Sequence, residues 1–211
     1  MADFTALQEA IVNGSLPTAT QLTQGALDAG LSPVAIVNDA LIPGMLVVGE
    51  KFKNNEFYVP EMLIAARAMK GAMALLKPHL KEGDLPELAV VAIGTVQGDL
   101  HDIGKNLVAM MLEGAGCRIV DLGVDVPPER FLAAVQEQGA NVIALSALLT
   151  TTMPNIGRTV EAVKEAGVRD RVRIIIGGAP VTQAYCDEVG ADGYSSDAGS
   201  AVDLLKALIA N

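Results

Sequence analysis

The chain has 211 residues, with 25 acidic against 15 basic side chains and a formal charge of -10. That surplus repels nucleic-acid phosphates and anionic membrane surfaces alike, so neither is an expected partner. Half the residues are apolar and 21 are glycine, enough to bury real cores and build many tight turns, which excludes a disordered chain.

Taken in chain order, the first residues, MADFTALQEAIVNGSL, lack a basic leader followed by an apolar core. No apolar run approaches the roughly 18 residues that a membrane helix needs. Cys117 and Cys186 form no C-x-x-C pair and no metal-type spacing, and they read as free thiols in a reducing compartment. The expectation is a cytoplasmic protein with no membrane association.

Apolar residues then recur at helical spacing: Phe4, Leu7 and Ile11; Leu22, Ala26 and Leu27; Val34, Val37 and Leu41. Gly14, Gly30 and the turn Lys53-Asn54-Asn55 separate them. Ser15-Leu16-Pro17 and Ser32-Pro33 look like helix starts, with serine at the cap and proline in the first turn. A fourth helix is expected from Pro60 to Leu80, so residues 1–84 read as a small four-helix bundle. The polar stretch Lys81-Glu82-Gly83-Asp84-Leu85-Pro86 is the expected linker.

Residues 85–211 change rhythm. Short apolar runs at Leu88–Ile93, Arg118–Leu122, Val142–Leu145, Arg173–Ile176 and near Tyr194 alternate with helical stretches beginning near Ile103, Pro128, Pro154, Val181 and Gly199. That repeat needs a parallel sheet covered on both faces, hence an α/β, flavodoxin-like, doubly wound domain of five strands in the order 2-1-3-4-5. Ligands of such sheets bind at the carboxyl ends of the strands, where the winding reverses between the first and the third. Functional residues are therefore expected after Ile93 and after Leu145.

The segment after the first run is Gly94-Thr95-Val96-Gln97-Gly98-Asp99-Leu100-His101-Asp102-Ile103-Gly104-Lys105-Asn106. By themselves, Asp102 reads equally well as a cap for the helix at Ile103, and Asp99 as a turn residue. His101, one of only two histidines, is the residue those roles leave over. Imidazole suits a borderline transition metal, and a carboxylate two residues earlier can hold its second nitrogen and set its tautomer. His79 lies beside Lys77 and Lys81 near a helix end and reads as solvated.

Asp99-x-His101-x-x-Gly104 resembles the D-x-H-x-x-G signature of cobalamin-binding domains. The fuller string GDLHDIGKN is similar to that of cobalamin-dependent methionine synthase and the corrinoid methyl-carrier proteins. Ser146-Ala147-Leu148-Leu149-Thr150 resembles the family's S-x-L segment, and Gly177-Gly178-Ala179 its glycine pair. The resemblance implies that the cofactor's own base leaves cobalt and that His101 becomes the lower axial ligand, with Asp99 accepting the imidazole N–H. Thr152 would extend the relay where methionine synthase has serine. Gly98, Leu100, Asp102, Ile103 and Gly104 would surround the ligand, while Ser146, Leu148, Thr150, Gly177, Gly178 and Ala179 would line the channel for the cofactor's tail.

In the helical half, Gly44-Met45 through Gly49, Phe52 and Tyr58-Val59-Pro60-Glu61-Met62 resemble the cap over methylcobalamin in this family, which implies that Phe52, Val59 and Met62 face the methyl group. The implied role is that of a methyl carrier with a cobalamin or related corrinoid, its cobalt charged by a substrate-specific methyltransferase and discharged by a methylcorrinoid:acceptor methyltransferase using tetrahydrofolate or a thiol. A corrinoid reductive activase is the third implied partner, and His101 is expected to leave and rejoin cobalt during turnover.

Other classes fit less well. A flavodoxin-type carrier wants aromatic residues to stack on flavin, and the chain has no tryptophan and three tyrosines. A phosphoacceptor regulator wants an aspartate where Ser146 stands. A cobalamin-dependent sensor would need an output module, and the cobalamin-binding subunit of a radical mutase typically lacks such a cap.

Overall fold

The computed structural model describes residues 3–81, 83–85 and 87–210. Its contacts divide into two compact units: Met1–Glu87 with Gly114–Gly116, and Leu88–Glu113 with Cys117–Asn211. Of the linker expected at 81–86, Glu82 and Pro86 lie outside the described residues.

The first unit is helical: α1 (Thr5–Val12), α2 (Leu16–Asp28), α3 (Pro33–Ile36), α4 (Ile42–Lys53) and α5 (Val59–Leu76). The third expected helix reaches the turn at Lys53-Asn54-Asn55 as expected but is not regular throughout. A π-helical turn over Val37–Leu41 joins α3 to α4, its wider spacing seen in the Ile42 N–H bonding to the Val37 carbonyl. Pro43 explains the device. A proline has no N–H to return to the carbonyl four residues back, and its ring crowds that carbonyl. Here that carbonyl belongs to Asp39, and the side-chain amide of Gln8 donates to it at 2.7 Å.

The joined helix, Pro33–Lys53, spans 21 residues, and its most apolar window has mean hydropathy 1.4. It is thus long and apolar enough, by length and composition, to cross a bilayer, contrary to the expectation that no stretch would be. Within the protein 44% of that window is buried, including Leu41, Met45 and Val48. Helix α5 ends at Leu76, short of the expected Leu80, because Pro78 turns Lys77–His79 into a 3₁₀ segment. His79 is exposed.

The second unit alternates β1 (Val90–Val96), α6 (Ile103–Gly114), β2 (Arg118–Val126), α7 (Pro128–Gln138), β3 (Val142–Ser146), α8 (Pro154–Glu165), β4 (Arg173–Gly177), α9 (Gln183–Val189), β5 (Gly193–Tyr194) and α10 (Ala198–Ile209). All neighbouring strands pair in parallel in the order β2-β1-β3-β4-β5, as expected of a doubly wound sheet. The switch point lies between β1 and β3. Every residue of β1 is buried, the signature of a central strand covered on both faces.

Strand β1 runs three residues beyond the expected Ile93. Gly94 pairs with Gly123 of β2 and Leu145 of β3, and a side chain there would come within 2.8 Å of the Phe131 ring, so the position has room only for glycine. Strand β2 runs four residues beyond Leu122 through two irregularities. From Ile93 to Gly94 on β1, its partner residues jump from Asp121 to Gly123, and from Gly94 to Val96 they jump from Gly123 to Val126. Each jump carries one extra residue on β2, which makes them β-bulges.

Phe131 is fully buried in a core with Val96, Val126, Ile143 and Ile156. Replacing it with alanine should cost about 3–5 kcal/mol. Urea unfolding followed by circular dichroism checks this as a lower midpoint with unchanged slope.

Candidate functional site

The site is built on the loop from Gln97 to Asp102, between β1 and α6. Gly98 has φ +82°, a left-handed conformation that glycine adopts freely, and this turns the chain so that Asp99 points inward. Asp99 is fully buried, whereas the His101 side chain is half exposed.

One carboxylate organises the loop. Its Oδ1 lies 2.7 Å from His101 Nδ1 and accepts the His101 backbone N–H at 3.1 Å. Its Oδ2 accepts the Leu148 N–H at 2.8 Å, the Leu149 N–H at 3.3 Å and the Thr152 hydroxyl at 2.7 Å. Burial alone would raise the Asp99 pKa, but the bonds from Thr152, His101 and Leu148 outweigh it and hold the carboxyl well below the usual carboxylate range. An ionised carboxylate only accepts, so the His101 Nδ1 must carry the hydrogen. The lone pair is then on Nε2.

Further bonds hold the loop's backbone. Thr95, fully buried within β1, donates its hydroxyl to the His101 carbonyl at 2.8 Å. Asn155, in the first turn of α8, donates to the Gln97 carbonyl at 2.6 Å. The Asp125 carboxylate accepts the Gly98 N–H at 2.7 Å, and the Asp125 N–H donates to the Asp99 carbonyl at 3.0 Å. Lys105, almost fully buried in α6, pairs with Asp121 of β2 at 2.6 Å. Sequence reasoning did not find Thr95, Asn155 or Asp125: the first lies beyond where β1 was expected to end, and the others act only through tertiary contact.

The other expected residues fall into groups. Asp102 accepts the Asn106 amide at 3.1 Å and its carbonyl takes the Asn106 N–H, so it serves the first turn of α6. Ser146 and Gly177 stand opposite one another at the ends of β3 and β4. Gly178, with φ +130°, lies so tightly against Ala147 that a side chain would collide with the Ala147 carbonyl. Thr150 and Ala179 are exposed on the two loops that follow. Phe52 and Val59 are half-buried and Met62 is fully buried in the helical unit.

Among the described residues, the large apolar side chains that the sheet unit exposes are Leu100, Leu148 and Leu149 on the loops after β1 and β3, Ile103 at the start of α6 and Val124 near the end of β2. Leu100 and Ile103, beside His101 in sequence, are 71% and 73% exposed. Such a grouping marks a surface meant to be covered. Gly104, in the first turn of α6, has open space where a side chain would stand and no left-handed backbone to require glycine. Among the described residues, no three His, Cys, Asp or Glu side chains are grouped to hold a metal ion. A single imidazole in an apolar rim, beside bare backbone, fits a metal that arrives with most of its ligands in a broad flat ring.

Comparison with known proteins agrees. Residues 89–203 match the family model of the B12 binding domain, and residues 4–77 match a second B12 binding domain model. The chain belongs to the B12-binding corrinoid proteins. It is 44% identical to a trimethylamine corrinoid protein of Methanosarcina barkeri over 96% of this chain and 94% of that one. A corrinoid protein of Desulfitobacterium hafniense is 39% identical over 96% and 95%. Among solved structures, the methanol:cobalamin methyltransferase complex MtaBC of Methanosarcina barkeri matches with TM-score 0.88 and 31% identity, covering 99% of this chain and 80% of that one.

The lowered Asp99 pKa sets a pH dependence for this corrinoid protein. A group whose folded-state pKa is depressed contributes stability that is complete above its unfolded value of about 4 and is lost as pH falls through the lower folded value. In Asp99→Asn an amide N–H₂ must face a donor, so the ligand-free variant should lose about 2–3 kcal/mol at neutral pH. Urea titrations across pH should show that gap narrowing as the solution is acidified below about pH 4.

Proposed function

We propose that this corrinoid protein binds its cofactor with His101 Nε2 as the lower axial ligand of cobalt, and that it carries a methyl group between two methyltransferases. The observation that carries this reading is the Asp99–His101 pair within its apolar rim: the buried carboxylate takes Nδ1, which leaves the Nε2 lone pair available to a metal. When bound, the corrinoid supplies a cobalt centre that accepts and releases methyl groups.

The chain's own residues have distinct parts. Asp99 fixes the His101 tautomer and the orientation of its ring. The Thr152 hydroxyl and the Leu148 N–H hold the carboxylate's other oxygen, so the ring cannot turn without breaking a network on β3's loop. Leu100, Ile103, Val124, Leu148 and Leu149 offer the apolar surface for the ring. Ser146, Gly177 and Gly178, at the ends of β3 and β4, would line the channel for the tail, with the displaced base at its end. Phe52, Val59 and Met62, in the helical unit, would shield the methyl-bearing face and keep water off it.

A substrate-specific methyltransferase would load the donor's methyl group onto the holo-protein and release the demethylated donor, and a second methyltransferase would pass the methyl group to tetrahydrofolate or a thiol, with a reductive activase restoring protein that has been oxidised. The reading places all of this in the cytoplasm. Because relatives carry trimethylamine and dimethylamine in their names, methylated amines are the first donors to assay.

Protein loaded anaerobically with cobalamin should show the visible spectrum of an imidazole-ligated, base-displaced corrinoid. His101→Ala should convert it to the form without a protein ligand and weaken binding by about tenfold or more. An unchanged spectrum and affinity would refute the ligand assignment. The reduced wild-type protein should gain a methyl group only when a donor-specific methyltransferase is added, and methylation of an acceptor by this chain alone would refute the carrier role.

A further inference from the structure

We infer that Asp125 is a positioning residue that clamps the ligand loop from the edge of the sheet and sets how firmly His101 is presented. This rests on the reading of His101 as the axial ligand. Asp125 is one of only two non-glycine residues in the described chain with positive φ, at +53°. Aspartate tolerates that region better than most residues, but the conformation must still be held by its surroundings.

The surroundings are the second bulge of β2. The extra residue between Gly123 and Val126 breaks the ladder to β1 and re-aims the chain towards the loop above. There Asp125 makes bonds in both directions. Its carboxylate accepts the Gly98 N–H at 2.7 Å, while its N–H donates to the Asp99 carbonyl at 3.0 Å. These bonds grip the backbone on either side of the Gly98–Asp99 link. The Asp99 side chain is meanwhile gripped by the loop after β3. The ligand loop is thus held between the β2 and β3 ends, with the backbone tied to one and the carboxylate to the other. Below, the first bulge is braced by Lys105 and by the Gly123 N–H, both bonded to Asp121 Oδ1.

Loss of the Asp125 carboxylate frees the Gly98 peptide, whose left-handed turn aims Asp99, and the imidazole then loses its fixed direction. Two substitutions separate this from a general structural role. Asp125→Gly removes the side chain while keeping the positive φ, and Asp125→Asn keeps both an oxygen acceptor and a tolerance for that φ.

Amide exchange of Gly98 in the cofactor-free full chain should speed up by about tenfold in Asp125→Gly and stay within about twofold of wild type in Asp125→Asn. Loaded with hydroxocobalamin, the glycine variant should show a smaller imidazole-ligated fraction and bind about tenfold more weakly, with the asparagine variant restoring both. Unchanged Gly98 exchange in Asp125→Gly would overturn the inference. So would equal ligation defects in both variants, or a glycine variant altered only in thermal stability. His101→Ala run alongside tests the axial-ligand reading separately, since Gly98 exchange does not depend on it.

Discussion

A single buried carboxylate holds the site together. Asp99 receives five hydrogen bonds, two from His101 and three from the turn after β3. Burying an unpaired carboxylate costs several kcal/mol, so its site is stable only with those donors in place. The requirement is mutual. The Leu148 and Leu149 amides need an acceptor, the imidazole needs a tautomer, and the β1 and β3 loops need a tie across the switch point.

The remaining features follow from holding an imidazole out of that anchor. Polar support behind the imidazole and apolar surface around it are divided cleanly. Asp99, Thr95 and Thr152 are buried, while Leu100, Ile103, Leu148 and Leu149 face outwards. Leu148 serves both sides, its N–H bonded to the carboxylate and its side chain in the rim. The glycines have equally specific reasons. Gly98 provides a left-handed turn, Gly178 leaves no room for a side chain beside Ala147, and Gly104 keeps backbone bare where the fold has no need of glycine.

Departures from regular geometry are concentrated beside the His101 loop and before a proline. In the sheet, β2 is regular beside the first half of β1 and bulges twice beside its end, next to that loop. In the helical unit, the π turn precedes Pro43, and the carbonyl that the proline cannot serve is bonded by Gln8. In each case an irregular backbone is stabilised by a side chain distant in sequence, so the irregularity and its support belong to one arrangement.

Local pattern in the amino-acid sequence was enough for the two kinds of architecture, the strand order and the imidazole–carboxylate pair, because helical and strand periodicities and the D-x-H-x-x-G spacing each lie within a few consecutive residues. The two-residue offset from Asp99 to His101 lets one side chain reach the other within a single turn, and the loop's place after β1 follows from the alternation of elements. The tertiary structure alone decided where β1 ends, since Thr95 pairs with Ser146 of β3 and Val96 with Val126 of β2. It also decided that the third helix carries a π turn before Pro43, where Gln8 bonds the carbonyl that the proline cannot serve, and that Thr95, Asn155 and Asp125 support the loop. Those outcomes depend on partners 6 to 58 residues away along the chain. A hydrogen bond between residues so separated leaves no periodic trace; it exists only once folding has brought the strand ends together.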